Sequence, residues 1–232
     1  MAELNKKLID AIKNANENFV GNVGMDKMRV RLTFVEEVLG SASPNKDIHS
    51  EYIASKAPDA KSREEEIAAI GADEVEAKEM TVFARDTDGC PMIFDYHILG
   101  YFKDVCGKLK RVDGSKCKGL TAHKKNIEAG VSVLDRRIRF NVDGSIGSCQ
   151  RPLRGETAQG SIVALANSET INPGSTIEFT ILYTKKMLPY IVEMLNAGIR
   201  YGFGQWRNSG KGRFLWTELD ETGKAIGGNY AE

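Results

Sequence analysis

Apolar residues recur at every second position in MRVRLTFVEEVLG (28–40), where Met28, Val30, Leu32 and Phe34 alternate with Arg29, Arg31 and Thr33. That period belongs to a half-buried strand. The period then changes several times along the chain. In 95–109 Ile98, Leu99, Phe102, Cys106 and Leu109 share one helical face, with Asp95 as its expected N-cap. Strand patterns return at 160–166 and at 175–183, where Ile177, Phe179, Ile181 and Tyr183 alternate cleanly. A helix is expected over 189–199, opened by Pro189, with Ile191, Val192, Leu195 and Ile199 as its buried stripe. A last strand reads over 213–219. The order strand, helix, strand, strand, helix, strand predicts an α+β chain with a ferredoxin-like (RRM-like) βαββαβ core.

Other segments are expected to decorate that core. Residues 3–19 carry Leu4, Leu8, Ile12, Ala15 and Phe19 at helical spacing, which predicts an N-terminal helix. Residues 41–76 are polar and acidic and read as an insertion, with a short helix near 62–70. Extra strands are expected at 77–85 and 131–142, a turn at 86–89, a basic loop at 110–130 and a loose tail after 219. Residues 28–40 and 77–219 form the core of a single domain spanning 1–232 in this reading.

Net charge is zero, but the charge is segregated: residues 36–79 hold 12 acidic and 5 basic side chains, and 103–154 hold 13 basic and 5 acidic. Such segregation predicts a basic surface facing an anion. No apolar run approaches the roughly 20 residues of a membrane helix. The N-terminal residues lack the apolar stretch of an export signal. Cys90, Cys106, Cys117 and Cys149 form no CxxC pair and read as free thiols, so the expected location is the cytoplasm. With three histidines and no HExxH, the sequence calls for no metal and no cofactor.

GIRYGFGQWRNSGKGRF (198–214) is the most informative stretch. It is not a P-loop: five residues separate Gly204 from Gly210, Gly212 follows Lys211 where a hydroxyl is needed, and a strand follows rather than a helix. It is not a dinucleotide fingerprint, because Arg207 occupies the third glycine position. It suits contact with nucleic acid. Gly202, Gly204, Gly210 and Gly212 bring backbone N–H groups close to phosphates, Arg200, Arg207, Lys211 and Arg213 neutralise them, and Trp206 stacks on bases. The alternative for Trp206 is a place in the core, which is where Phe203 and Phe214 are expected.

Two Gly-x-Gly pairs five residues apart, between a second helix and a last strand, resemble the C-terminal glycine-rich loop of the RAMP superfamily, the repeat-associated RNA-binding proteins of CRISPR systems. CPMIFDYHILGYFKDV (90–105) is similar to a segment through which backbone subunits of CRISPR effectors contact guide RNA. Gly100 matches its glycine, Tyr96 and His97 stand where small hydroxyl residues would be, and Leu99 stands where a lysine would be. RPLRGETAQGSIVALANSETINPGSTIEFTI (151–181) is similar to the paired strands that precede the second helix. The resemblance implies single-stranded or guide RNA as partner, with repeated subunits assembling along the RNA in a ribonucleoprotein. It also implies a basic hairpin over 122–140, reaching a neighbouring subunit and the guide through Lys124, Lys125, Arg136, Arg137 and Arg139. Two alternatives stay open. One is an RNA endonuclease of the same superfamily, acting through Asp47 with a metal or through His49 or His97. The other is a stand-alone, phage-encoded homologue that docks on or inhibits an effector complex through its acidic 41–79 segment.

Overall fold

The computed structural model describes residues 24–42, 80–157 and 160–230, with side chains described outside 152–165. The expected N-terminal helix and most of the acidic insertion, including Asp47 and His49, lie outside the described residues. Strands β1 (Met25–Phe34), β2 (Val38–Leu39), β3 (Met80–Thr81), β4 (Ala84–Arg85) and β5 (Pro91–Phe94) lead into helix α1 (Asp95–Leu109). A 3-10 turn (Lys116–Gly119) and α2 (His123–Gly130) precede β6 (Val131–Val133), β7 (Arg137–Asn141), β8 (Gly147–Thr157), β9 (Gly160–Ile171) and β10 (Thr176–Thr184). Then come α3 (Leu188–Asn196), a helical turn (Gly198–Tyr201), β11 (Phe214–Leu219) and β12 (Ala225–Gly228).

The fold is α+β. Its main sheet runs β12-β11-β1-β10-β7-β5-β4, with β6 also on β10, and its pairings are antiparallel. Alternation builds one apolar face: Val30, Leu32, Phe34, Ile138, Phe140, Ile177, Phe179, Ile181, Phe214 and Trp216 are buried in a single core. Helix α1 adds Ile98, Phe102, Val105 and Cys106 to that core, and α3 adds Ile191, Met194 and Leu195. Each such side chain contributes about 1.5–3 kcal/mol by leaving water. Tyr101 locks the two helices together by donating from its hydroxyl to the Met194 carbonyl at 2.7 Å. Burial pushes its phenol well above the ordinary tyrosine range.

The structure corrects several expectations. The strand at 160–166 is not in the main sheet: it is part of β9, which pairs with β8 from Gly147↔Thr170 to Thr157↔Gly160 and with β2 and β3 in a second sheet. The place beside β10 is taken by β6 and β7 instead. The segment read as a decoration, and as part of an inserted basic hairpin, is therefore sheet interior. Ile138 and Phe140 are the reason, because their burial needs the helix layer on one side. The strand read over 28–40 stops at Phe34, and the chain crosses to the second sheet at Val38. Of the strand read over 77–85, the described residues 80–85 split likewise between β3 and β4. Phe94, not Asp95, is the N-cap of α1. The loop expected over 110–130 contains α2, anchored by the fully buried Ile127. The tail is not loose, since β12 pairs with β11.

Candidate nucleic-acid interface

The glycine loop closes on itself. Phe203 N–H donates to the Gly212 carbonyl at 2.8 Å, and Gly212 N–H donates to the Glu37 carbonyl at 2.7 Å. Gly212 has φ +69°, and a Cβ there would fall 1.8 Å from the Phe203 oxygen; at Gly202, φ +64°, it would fall 2.3 Å from the Lys211 oxygen. These two glycines are required by the loop's own closure. Phe203 and Phe214 are core residues, as expected. Trp206 is 36% exposed, in the left-handed region at φ +53°.

Beside the loop lies a cleft of about 520 Å³. Its α1 wall carries Tyr96, His97, Gly100 and Lys103, and its loop wall carries Phe203, Gly204 and Arg207. Gly100 is exposed in the middle of α1, and no described atom lies within 4 Å of where its Cβ would be. A glycine inside a helix costs about 1 kcal/mol relative to alanine. Nothing in the described packing accounts for that cost, whereas Gly107 leaves room for the His123 ring.

Cations around the cleft are held by carboxylates. Arg207 donates to Asp104 at 2.6 Å, and Lys108, one turn along α1, donates to the same oxygen at 2.9 Å. Burial pushes the Asp104 carboxyl up, but the Lys108 hydrogen bond and the Arg207 charge outweigh it, and the group sits below the ordinary carboxylate range. Lys211 donates to Glu37 at 2.8 Å, which raises its ammonium above the ordinary lysine range. Arg200 is exposed with its guanidinium 5.5 Å from the Tyr201 ring centre, and Lys108 lies 5.3 Å from the same ring. Arg213 is exposed beside Gly210.

Of the remaining predicted residues, His97 lies on the cleft wall and Arg136 packs on its Phe94 and Tyr96, whereas the others lie elsewhere. Lys124 and Lys125 are exposed on α2, which is tied to α1 by Lys103 donating to Glu128 at 2.6 Å. Arg137 and Arg139 point away from the helix layer, on the open face of the main sheet, next to Arg31 and Glu178. Arg139 pairs there with Asp86 and Asp88. Arg136 binds Asp95 at 2.5 Å and lies 5.3 Å and 5.7 Å from the ring centres of Phe94 and Tyr96, which stack at 9°. His97 accepts a hydrogen bond at Nδ1 from Phe94 N–H at 3.2 Å and so serves the helix N-terminus.

Sequence reasoning reached α1 through the 90–105 resemblance and Gly100, but it missed Lys103, Asp104 and Lys108, which connect the loop to α2, and it missed Arg151. The signal for the first was present: Gly100, Lys103, Asp104, Gly107 and Lys108 recur at helical spacing opposite the apolar stripe. Arg151 had no local signal.

No family model and no curated protein matches the chain. Among solved structures it is similar to a chain in "Cryo-EM structure of the Type III-B Cmr-beta bound to cognate target RNA", at 12% identity and a TM-score of 0.44. The similarity covers 90% of this chain and 64% of that one, so this chain spans less than two thirds of its length.

Proposed function

We propose that this chain is a RAMP-type subunit that binds single-stranded RNA along the cleft between α1 and the glycine loop, in repeated copies within a CRISPR-like ribonucleoprotein. The observation that carries this reading is Gly100. It is an exposed helical glycine at its own energetic cost, facing Gly204 and Arg207 across an open cleft. A wall without side chains lets a sugar–phosphate backbone approach closely. Arg207, Lys103 and Lys211 meet its phosphates, and the aromatic side chains at the mouth meet bases. The order β11-β1-β10-β7, with α1 between β1 and β7 and α3 between β10 and β11, supports a ferredoxin-like core. Arg137 and Arg139 stand outside this path.

The test is binding of a labelled RNA of about thirty nucleotides across a salt series, with Arg207→Ala/Lys211→Ala beside wild type. Tight, salt-sensitive binding that weakens in the double variant supports the reading. Absence of binding at low salt sinks it.

One observation favours a second reading, a protein that docks on an effector complex. The net charge is zero, and Arg207, Lys211, Arg136 and Arg139 each already have a carboxylate partner. Co-purification with effector subunits by a chain that binds no RNA alone would select it.

A further inference from the structure

Arg151 is placed against expectation. It lies on β8 opposite Ala166 and is 5% exposed. Nη1 donates to Ser168 Oγ at 2.9 Å and Nη2 to Gln205 Oε1 at 2.9 Å, while Nε is buried with no partner among the described residues. Neither side-chain partner is a carboxylate. A guanidinium withdrawn from water without a counter-charge is costly. Its carbon lies 5.2 Å from the centre of the Trp206 ring. Trp206 has its own cost: a bulky residue at φ +53° is strained, and its ring is partly in water outside the core cluster. Two unfavourable arrangements thus coincide where the β8–β9 hairpin meets the glycine loop, and neither contributes to the core.

We infer that Arg151 and Trp206 form a stacking site for an unpaired nucleobase. Arg151 backs one face of the indole through a cation–π contact and fixes the ring from below. The base lies on the other face. Gln205, held by the same guanidinium, keeps the loop backbone beside the ring in place. Trp206 is the binding residue, and Arg151 is a positioning residue that acts through it. The ligand is a base of a single strand, because a base inside a duplex has no free face. This inference rests on the RNA reading above and names what part of the strand this end of the loop takes: a base rather than a phosphate.

Tryptophan fluorescence tests it in the full chain. There are two tryptophans; Trp216 is 3% exposed with Nε1 bonded to Asn196, so a ligand-induced change reports Trp206, and Trp206→Phe should abolish it. The ligands are single-stranded oligoadenylate of roughly thirty nucleotides, the same strand fully paired, and inorganic polyphosphate as a base-free polyanion. Quenching by the single strand alone is expected. Trp206→Ala should weaken single-strand binding about ten-fold with an unchanged salt slope. Arg151→Met should blunt the quench and weaken binding by about three-fold or more, with Arg151→Lys recovering part of both. Equal quenching by polyphosphate or duplex overturns the inference, as does wild-type affinity in Trp206→Ala. Single-strand binding with silent fluorescence removes the stacking site and leaves the RNA reading standing, whereas no binding of any strand removes both. If Arg151→Met does not fold, the surface variant Trp206→Ala decides alone.

Discussion

The cleft beside α1 and the open face of the main sheet carry similar cations and surround them differently. On the sheet face, Arg29 and Arg31 share Glu178 at 2.7 Å and 2.9 Å, and Arg139 is shared by Asp86 and Asp88. Thr176, Arg137 and Asn141 line the same surface together with Phe140, whose ring is in the core, and Phe94 is the cross-strand neighbour of Arg137. In the cleft the cations stand next to Tyr96, Phe94 and Phe203, between two walls thinned by Gly100 and Gly204. Charge does not separate the two regions, since both are nearly neutralised by their own carboxylates. Apolar surface does. A phosphate backbone finds similar charge in both places, but of these two surfaces the cleft is the one lined by several aromatic rings.

The largest expected effect breaks the cleft side of this comparison at its base. Gly212→Ala places a Cβ on the Phe203 carbonyl at positive φ and should destabilise the protein by about 2–4 kcal/mol in denaturant unfolding. A cost near zero would mean the loop closes in another way.

Arg207→Ala/Lys211→Ala should weaken single-stranded RNA binding about ten-fold and lower the salt slope by about 1.4, the loss of two phosphate contacts. The matched pair on the sheet face, Arg29→Ala/Arg139→Ala, should leave the slope unchanged. Equal losses from both pairs would erase the distinction.

Gly100→Ala should separate stability from binding. Filling an exposed helical glycine should stabilise by about 1 kcal/mol in thermal or denaturant unfolding. RNA affinity should fall by several-fold, because the added methyl group obstructs the wall. A variant that gains stability and keeps full affinity would remove Gly100 from the path.

Asp104→Asn should tighten RNA binding by about two- to five-fold, since it frees Arg207 and Lys108 and removes a charge facing the phosphates. Acidification should reach the same state only late. Asp104 is held below its ordinary value of 3.8, so its pairing stabilises the fold above that value and is lost as pH falls through its lower folded pKa. Glu178 behaves alike on the sheet face. Burial raises its carboxyl, the hydrogen bonds from Arg31 and Arg29 outweigh this, and it lies below 4.5. RNA affinity and stability measured from pH 7 to pH 5 should therefore show no step from either carboxylate.

The smallest expected effect is Arg29→Ala alone. Its guanidinium is exposed, Glu178 is half-buried and keeps Arg31, and such pairs contribute about 0–1 kcal/mol.

Much of this was legible in the chain. The alternation of Met28 to Phe34 and of Ile177 to Tyr183, and the helical stripes at 95–109 and 189–199, each depend on neighbours within a few residues, and all four became elements near their expected bounds. The glycine loop was legible as a loop, because Gly202, Gly210 and Gly212 take positive φ that other residues avoid. Pairing partners were not. Residues 131–142 and 160–166 both read as strands, and which one lies beside β10 depends on which buries a face against helices far away in sequence. The grouping of the site was equally hidden. Arg136 and Arg139 are three residues apart, yet one binds Asp95 at the start of α1 and the other pairs with Asp86 and Asp88. Arg151 lies 55 positions before Trp206 in the chain and reaches it only because the β8–β9 hairpin folds back onto the loop. By itself the sequence determined the local elements, the buried face of each and the residue types in the loop, since these are set by backbone sterics and the spacing of apolar side chains. Tertiary structure alone decided strand neighbours, which cations keep a carboxylate partner and which aromatic rings reach water, because these turn on contacts between segments that no local pattern records.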